Sequence, residues 1–155
     1  MRNIFTKTLL LAAAILALSV FATAQSVSGK IGNGSVVKGI AARATVTLNI
    51  PGGLHVNSSR PGSEYAIPTT VTARSAGVKV SGVSYPRGRN RKFSFSENTI
   101  NVYEGRATFS FNVTVPATFR GKTVSVNVAV RYQACTDEVC YAPKTKNVTL
   151  TAQVK

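Results

Sequence analysis

Apolar side chains recur at every second position in four long stretches of the chain. Residues 41–50 set Ala44, Val46, Leu48 and Ile50 on one face and Thr45, Thr47 and Asn49 on the other. Ala107, Phe109, Phe111, Val113 and Val115 repeat the pattern against Thr108, Ser110, Asn112 and Thr114. It returns in Val124, Val126, Val128 and Val130, and again in Val148, Leu150, Ala152 and Val154. A period of two in β-branched and aromatic residues is the mark of half-buried antiparallel strands, because successive side chains point to opposite faces. Shorter candidates lie at 35–40, 69–73, 78–84 and 99–103, and Gly and Pro punctuate the gaps, as in Pro51-Gly52-Gly53 and Pro86-Arg87-Gly88. Nowhere does a 3.6-residue stripe persist. Seven or eight short strands at this spacing predict an all-β fold, an immunoglobulin-like antiparallel β-sandwich whose strands give alternate side chains to one core. Without repeats or a low-complexity linker, the pattern predicts a single domain over 25–155.

The start of the chain follows another rule. Arg2 and Lys7 precede an apolar run from Leu9 to Phe21 broken only by Ser19, and Ala22-Thr23-Ala24 supplies the small residues of a cleavage site before Gln25. This is the layout of a secretory signal peptide over 1–24. The run is shorter than the roughly 20 residues that span a bilayer. The residue directly after the cleavage site is Gln25 and not cysteine, which disfavours a lipoprotein, and no later stretch is apolar enough for a transmembrane segment. The expected product is a periplasmic or secreted domain in an oxidising compartment, where two cysteines can pair.

Charge narrows the function less than it suggests. The chain of 155 residues carries 19 Lys and Arg against 5 Asp and Glu, a formal charge of +14. Losing Arg2 and Lys7 with the leader lowers that to +12. Such a domain attracts polyanions, but export argues against nucleic acid, and the basic residues are scattered except in Arg87-Gly88-Arg89-Asn90-Arg91-Lys92. That cluster reads as a solvated loop between two strands. The few acids leave little material for a glycosidase-type carboxylate pair, and one histidine with two cysteines gives little for a zinc site. His55, the only histidine, reads as a surface or edge-strand residue. No cofactor or metal is implied, since no hydrolase triad or Gly-rich phosphate loop stands out.

Chemistry, if there is any, rests on Cys135 and Cys140, in Tyr132-Gln133-Ala134-Cys135-Thr136-Asp137-Glu138-Val139-Cys140-Tyr141-Ala142-Pro143. The pair falls in the connection between two strands, at an edge of the sandwich, where exposure is expected. A disulfide there would close a loop of about six residues and contribute about 2 kcal/mol by chain entropy, against nearly 5 for a hundred-residue loop. Spacing alone leaves two readings open: a bond that pins a loop, and a redox pair that opens without unfolding the core.

The segment from Val130 through Cys135 to Cys140-Tyr141-Ala142-Pro143-Lys144-Thr145-Lys146 resembles the cysteine segment of the amino-terminal periplasmic domain of DsbD, the thiol:disulfide interchange protein. Ile50-Pro51-Gly52-Gly53-Leu54-His55-Val56-Asn57-Ser58, Ile67-Pro68-Thr69 and Val102-Tyr103-Glu104-Gly105 are similar to further steps of that family. The resemblance covers most of the mature chain. It implies an immunoglobulin-like fold and thiol–disulfide exchange without a cofactor, with Cys140 forming the mixed disulfide and Cys135 resolving it. It also implies a cap loop with an aromatic residue over the pair, here in Arg91-Lys92-Phe93-Ser94-Phe95, so that Phe93 or Phe95 would be the cap. Tyr132, Asp137, Glu138 and Tyr141 complete the expected environment of the pair, and Asp137 and Glu138 would disfavour thiolate formation. The second proline of the family's Pro-Pro step is absent here, where Ala142 precedes Pro143.

The partners so implied are periplasmic thioredoxin-like or disulfide isomerase-type proteins, with a membrane electron transporter as donor. The family protein continues into a membrane domain and a thioredoxin-like domain, whereas this chain ends at Lys155. A stand-alone domain reduced by another protein is therefore expected. The alternative is a non-enzymatic secreted immunoglobulin-like binding domain whose disulfide only pins a loop, and which would keep its function with both cysteines replaced by serine.

Overall fold

The four alternating stretches form the long strands of the protein. The computed structural model describes residues 24–155 and holds strands without any helix among them. In chain order these are β1 (Ser26–Ile31), β2 (Ser35–Val36), β3 (Ala41–Asn49), β4 (His55–Asn57), β5 (Thr70–Arg74) and β6 (Lys79–Val80). They continue with β7 (Arg89–Arg91), β8 (Ile100–Tyr103), β9 (Arg106–Thr114), β10 (Thr123–Tyr132), β11 (Ala134–Cys135) and β12 (Lys144–Val154). The predicted leader falls outside the described residues except for Ala24. Among the described residues no helix is long and apolar enough to cross a membrane.

Two four-stranded sheets make an immunoglobulin-like sandwich. One has the order β1-β3-β9-β6 and is antiparallel throughout; the other, β2-β12-β10-β5, is antiparallel apart from the short β2–β12 pair. The buried positions are those the period of two selects. Val46, Leu48, Phe109 and Val113 come from the first sheet, and Val124, Val126, Val128, Val130 and Leu150 from the second. Phe109 sits among edge-on aromatic rings, with Tyr85 at 5.5 Å and Tyr103 at 6.0 Å between centroids. At Gly29 a Cβ would lie 2.4 Å from the Thr45 carbonyl oxygen and 3.0 Å from Leu150 Cδ2, so β1 approaches this closely only as glycine.

A third sheet, β11-β4-β8-β7, gathers the continuations of the long strands at one end of the sandwich. Gly53, at φ 78°, turns β3 into β4, and Gly105, at φ 65°, turns β8 into β9. The two turns are tied by the Ile50 amide donating to the Gly105 carbonyl at 2.7 Å. β10 enters the same sheet by running on into β11. Two expectations are corrected here. Arg87–Lys92 is not simply a solvated loop, because Arg89–Arg91 pairs with β8 as β7. His55 is not at a surface or an edge, because β4 lies between β11 and β8 and the residue is 2% exposed.

Candidate functional site

Both cysteines belong to a small hairpin at the edge of the third sheet. After Tyr132 the chain leaves the sandwich, and Ala134 and Cys135 pair with Val56 and His55 of β4. A turn follows in which the Thr136 hydroxyl accepts from the amides of Glu138 at 3.2 Å and Val139 at 3.1 Å. The Thr136 amide donates to the Val139 carbonyl at 2.8 Å, and the Tyr141 amide donates to the Ala134 carbonyl at 2.9 Å. Local side-chain capping of this kind is how Thr fixes a tight turn. Cys140 thereby returns opposite Cys135, with 4.0 Å between Cα atoms, and the two are disulfide-bonded.

The two sulfurs differ in setting. Cys135 is fully buried and Cys140 is exposed. The expectation of an exposed pair thus holds for Cys140 alone, because β11 is pressed between the hairpin's return strand and β4. Approach from solvent is possible only at Cys140. A pocket of about 590 Å³ opens beside it, lined among others by Asn57, Tyr65, Phe95, Ile100 and Gln133.

An aromatic stack packs on His55, the β4 partner of Cys135. Beyond β7 the chain turns Phe93 inward, where it is 4% exposed and packs with Ile100 and Val102. Its ring stacks on His55 at 4.2 Å, and Phe95 stacks on it in turn at 5.2 Å while remaining 42% exposed. Arg91 lies over the Phe93 ring at 5.7 Å, pairs with Glu104, and reaches Asp137 Oδ1 at 3.9 Å. The Ser94 hydroxyl donates to the Asp137 carbonyl at 3.4 Å. The segment Arg91–Phe95 is thus fastened both to β4 and to the cysteine turn.

The remaining expected residues fall in different places. Asp137 and Glu138 sit exposed at the turn, and Tyr141 beyond Cys140 is half exposed. Tyr132 enters the sandwich core instead, fully buried, with its hydroxyl 3.4 Å from Gln25 Oε1, and burial pushes its pKa up. Asn57 and Gln133 had no role in the sequence reading. The Asn57 amide nitrogen donates to the Ile67 carbonyl at 3.0 Å and to Gln133 Oε1 at 3.1 Å. Gln133 in turn donates to the Tyr141 carbonyl at 3.2 Å, completing a link from β4 to the return of the hairpin. Arg91 stands in the sequence as one member of a basic run and as the first residue of the Arg91–Phe95 segment. No signal in the sequence distinguishes it from its neighbours.

His55 is electrostatically perturbed by its place in the sheet. Burial lowers its pKa below the ordinary 6.5, against the pull of Asp137 and Glu104, with Arg91 adding to the lowering. Its Nε2 is buried without a hydrogen-bond partner. Among the described residues no group of three or more His, Cys, Asp or Glu could hold a metal ion.

An immunoglobulin-like sandwich with a disulfide-closed hairpin beside an aromatic loop is thus the class the fold and site define. The family model for the N-terminal domain of thiol:disulfide interchange protein DsbD matches residues 31–152, and the chain belongs to that family. Among solved structures, the DsbD N-terminal domain of Neisseria meningitidis in its reduced form is similar at 18% identity and a TM-score of 0.46, covering 71% of this chain and 77% of that one. A family 123 glycoside hydrolase from Clostridium perfringens is similar at 9% identity and a TM-score of 0.31, covering 84% of this chain and 28% of that one. No curated protein matches the chain. The family supports thiol–disulfide exchange in general terms, and this chain holds the bonded cysteine pair such chemistry uses.

Proposed function

We propose that the protein is an exported thiol–disulfide exchange module, its leader removed near Ala24, that passes electrons through Cys135 and Cys140 to or from partner proteins. The observation that carries this reading is the asymmetry of the bond, one sulfur fully buried and the other exposed beside a pocket. In the reduced form the Cys140 thiolate attacks a partner disulfide, forming a mixed disulfide and releasing the partner's other sulfur as a thiolate. Cys135 then attacks Cys140, restoring the internal bond and releasing the partner dithiol, so that two electrons pass to the partner. The reverse sequence, begun by a donor dithiol attacking Cys140, reloads the domain. Thioredoxin-like or isomerase-type proteins suit either role, and a membrane electron transporter suits that of donor.

Phe93 and Phe95 act as the cap in this reading. Their stack screens the pair from small thiols and must shift for a protein partner to reach the sulfur. The test is capture of an oxidised thioredoxin-like protein by single-cysteine variants. Cys135→Ser should accumulate a mixed disulfide visible on a non-reducing gel, and Cys140→Ser should not. Equal capture by both, or by neither, contradicts the assignment.

One observation favours the rival binding role. A second cavity of about 830 Å³, touching neither cysteine, is lined by Arg60, Arg87 and Arg89 and by no carboxylate. A binding domain of this kind would retain its ligand with both cysteines replaced.

A further inference from the structure

His55 is a buried group that the exchange steps leave unused. It is 2% exposed, and its Nε2 has no hydrogen-bond partner while the disulfide is closed. Buried polar atoms are nearly always paired, so an unpaired one asks for a reason. β4 sets His55 directly opposite Cys135, and the hairpin sets Cys140 on the other side of Cys135. Residues that face one another across an antiparallel pair send their side chains to the same face, with Cβ atoms about 4.5–5.5 Å apart. The imidazole therefore neighbours the buried sulfur.

That sulfur is the one in need of a base. A thiol in apolar surroundings resists ionisation, yet the thiolate is the attacking species. Resting on the exchange reading above, we propose that His55 accepts the proton of the Cys135 thiol as this sulfur attacks the mixed disulfide at Cys140. The Cys135 S–H bond breaks, its proton passes to the neutral imidazole, and the electron pair left on sulfur forms the Cys135–Cys140 bond. The bond from Cys140 to the partner breaks, and the partner leaves as a thiolate. In the reverse direction the imidazolium protonates Cys135 as it is expelled.

The surroundings fit a base that rests neutral and charges briefly. Phe93, stacked at 4.2 Å, fixes the plane of the ring. The charged groups acting on it are Glu104, next after the β8 residue paired with Val56, Arg91 of β7 and Asp137 of the cysteine turn. Both carboxylates favour the imidazolium, and burial opposes it. Reduction of the pair gives Nε2 the donor it lacks, the Cys135 S–H.

The test follows the reduced protein reacting with dithiobis(nitrobenzoic acid) in stopped flow from about pH 5 to pH 10. Attack by Cys140 releases one coloured thiolate, and resolution by Cys135 releases the second. In the unsubstituted protein the second phase should rise below about pH 6.5, the ordinary histidine value, and be flat by about pH 7. In His55→Gln it should slow at least about tenfold at pH 7 and recover toward pH 10, where the thiol ionises unaided. The first phase should be unchanged. His55→Phe, which keeps an aromatic ring against Phe93, should behave like His55→Gln. The proposal is overturned if the second phase of the unsubstituted protein follows the thiol range, near pH 8.5 or above. It is also overturned if His55→Gln is slowed by the same factor at every pH, or if His55→Phe resolves normally. Should both variants fail to fold, the profile of the unsubstituted protein decides alone. If that protein gives a first phase but no second, or no reaction, the exchange reading itself fails.

Discussion

The ring of Phe93 lies 4.2 Å from that of His55, their planes 17° from parallel, and this contact joins the Arg91–Phe95 segment to β4. His55 is also the cross-strand partner of Cys135. The Phe93 loop, β4 and Cys135 are therefore linked through His55. A change in any of them should be felt at the other two.

Phe93→Ala removes the middle ring of the stack. Phe93 is 4% exposed in a small cluster with Ile100 and Val102, so the loss should lie near the low end for buried phenylalanine, about 3 kcal/mol. Reduction of the Cys135–Cys140 bond by glutathione should quicken by roughly tenfold, the effect of about 1.4 kcal/mol lost from the closed loop. Urea unfolding and alkylation-quenched kinetics measure the two effects. An unchanged reduction rate would show that the stack does not screen the bond.

Asp137 and Glu138 set negative charge at the exposed turn between the cysteines, part of it opposed by Arg91 at 3.9 Å from Asp137. Replacing them with Asn and Gln should speed reaction with glutathione, itself an anion, severalfold at low salt. The gain should shrink as salt screens the charges. Equal rates for the two proteins at low ionic strength would remove the acids from the account.

Stability should fall at both ends of the pH scale for separate reasons. The folded pKa of His55 is lowered from 6.5 chiefly by burial, so between that lower value and about 6.5 the unfolded chain binds more protons. Stability is therefore lost as pH drops below about 6.5 and levels off below the folded pKa. Tyr132 is raised above 10.0 by burial, so the unfolded chain sheds its proton first and stability is lost again as pH rises above about 10. Unfolding midpoints of the protein and of His55→Phe across pH 4–8 check the acid limb. The variant should lose less stability than the parent on going from pH 7 to pH 5.

What could be read from the residues follows the length of the elements. Strands of nine to eleven residues announce themselves by alternation, because one buried face fixes every second side chain, as in Arg106–Thr114 and Lys144–Val154. Of the third sheet only β8 did, within the stretch 99–103, since β4 and β7 have three residues each and β11 two, too few for a period to show. Tertiary pairing holds these strands, not local pattern. The same cause hid the burial of Cys135 and His55, which depends on β11 lying against β4. Gly53 and Gly105 were legible as turns, but not the hydrogen bond from the Ile50 amide to the Gly105 carbonyl that ties them. The cysteine pair itself stood out by spacing, and the loop that carries Phe93 and Phe95 by resemblance. The roles of Arg91, Asn57 and Gln133 come from partners distant in the chain.

Whether the Cys135–Cys140 bond opens and closes in exchange with proteins is decided by its reduction potential. The protein is equilibrated in graded thiol buffers and its alkylated cysteines are counted by mass. With one exposed sulfur and a loop too short to lend much stability, the potential should lie above roughly −270 mV, in the range of exchange-competent pairs. A value well below about −300 mV would mark a structural bond and contradict the account.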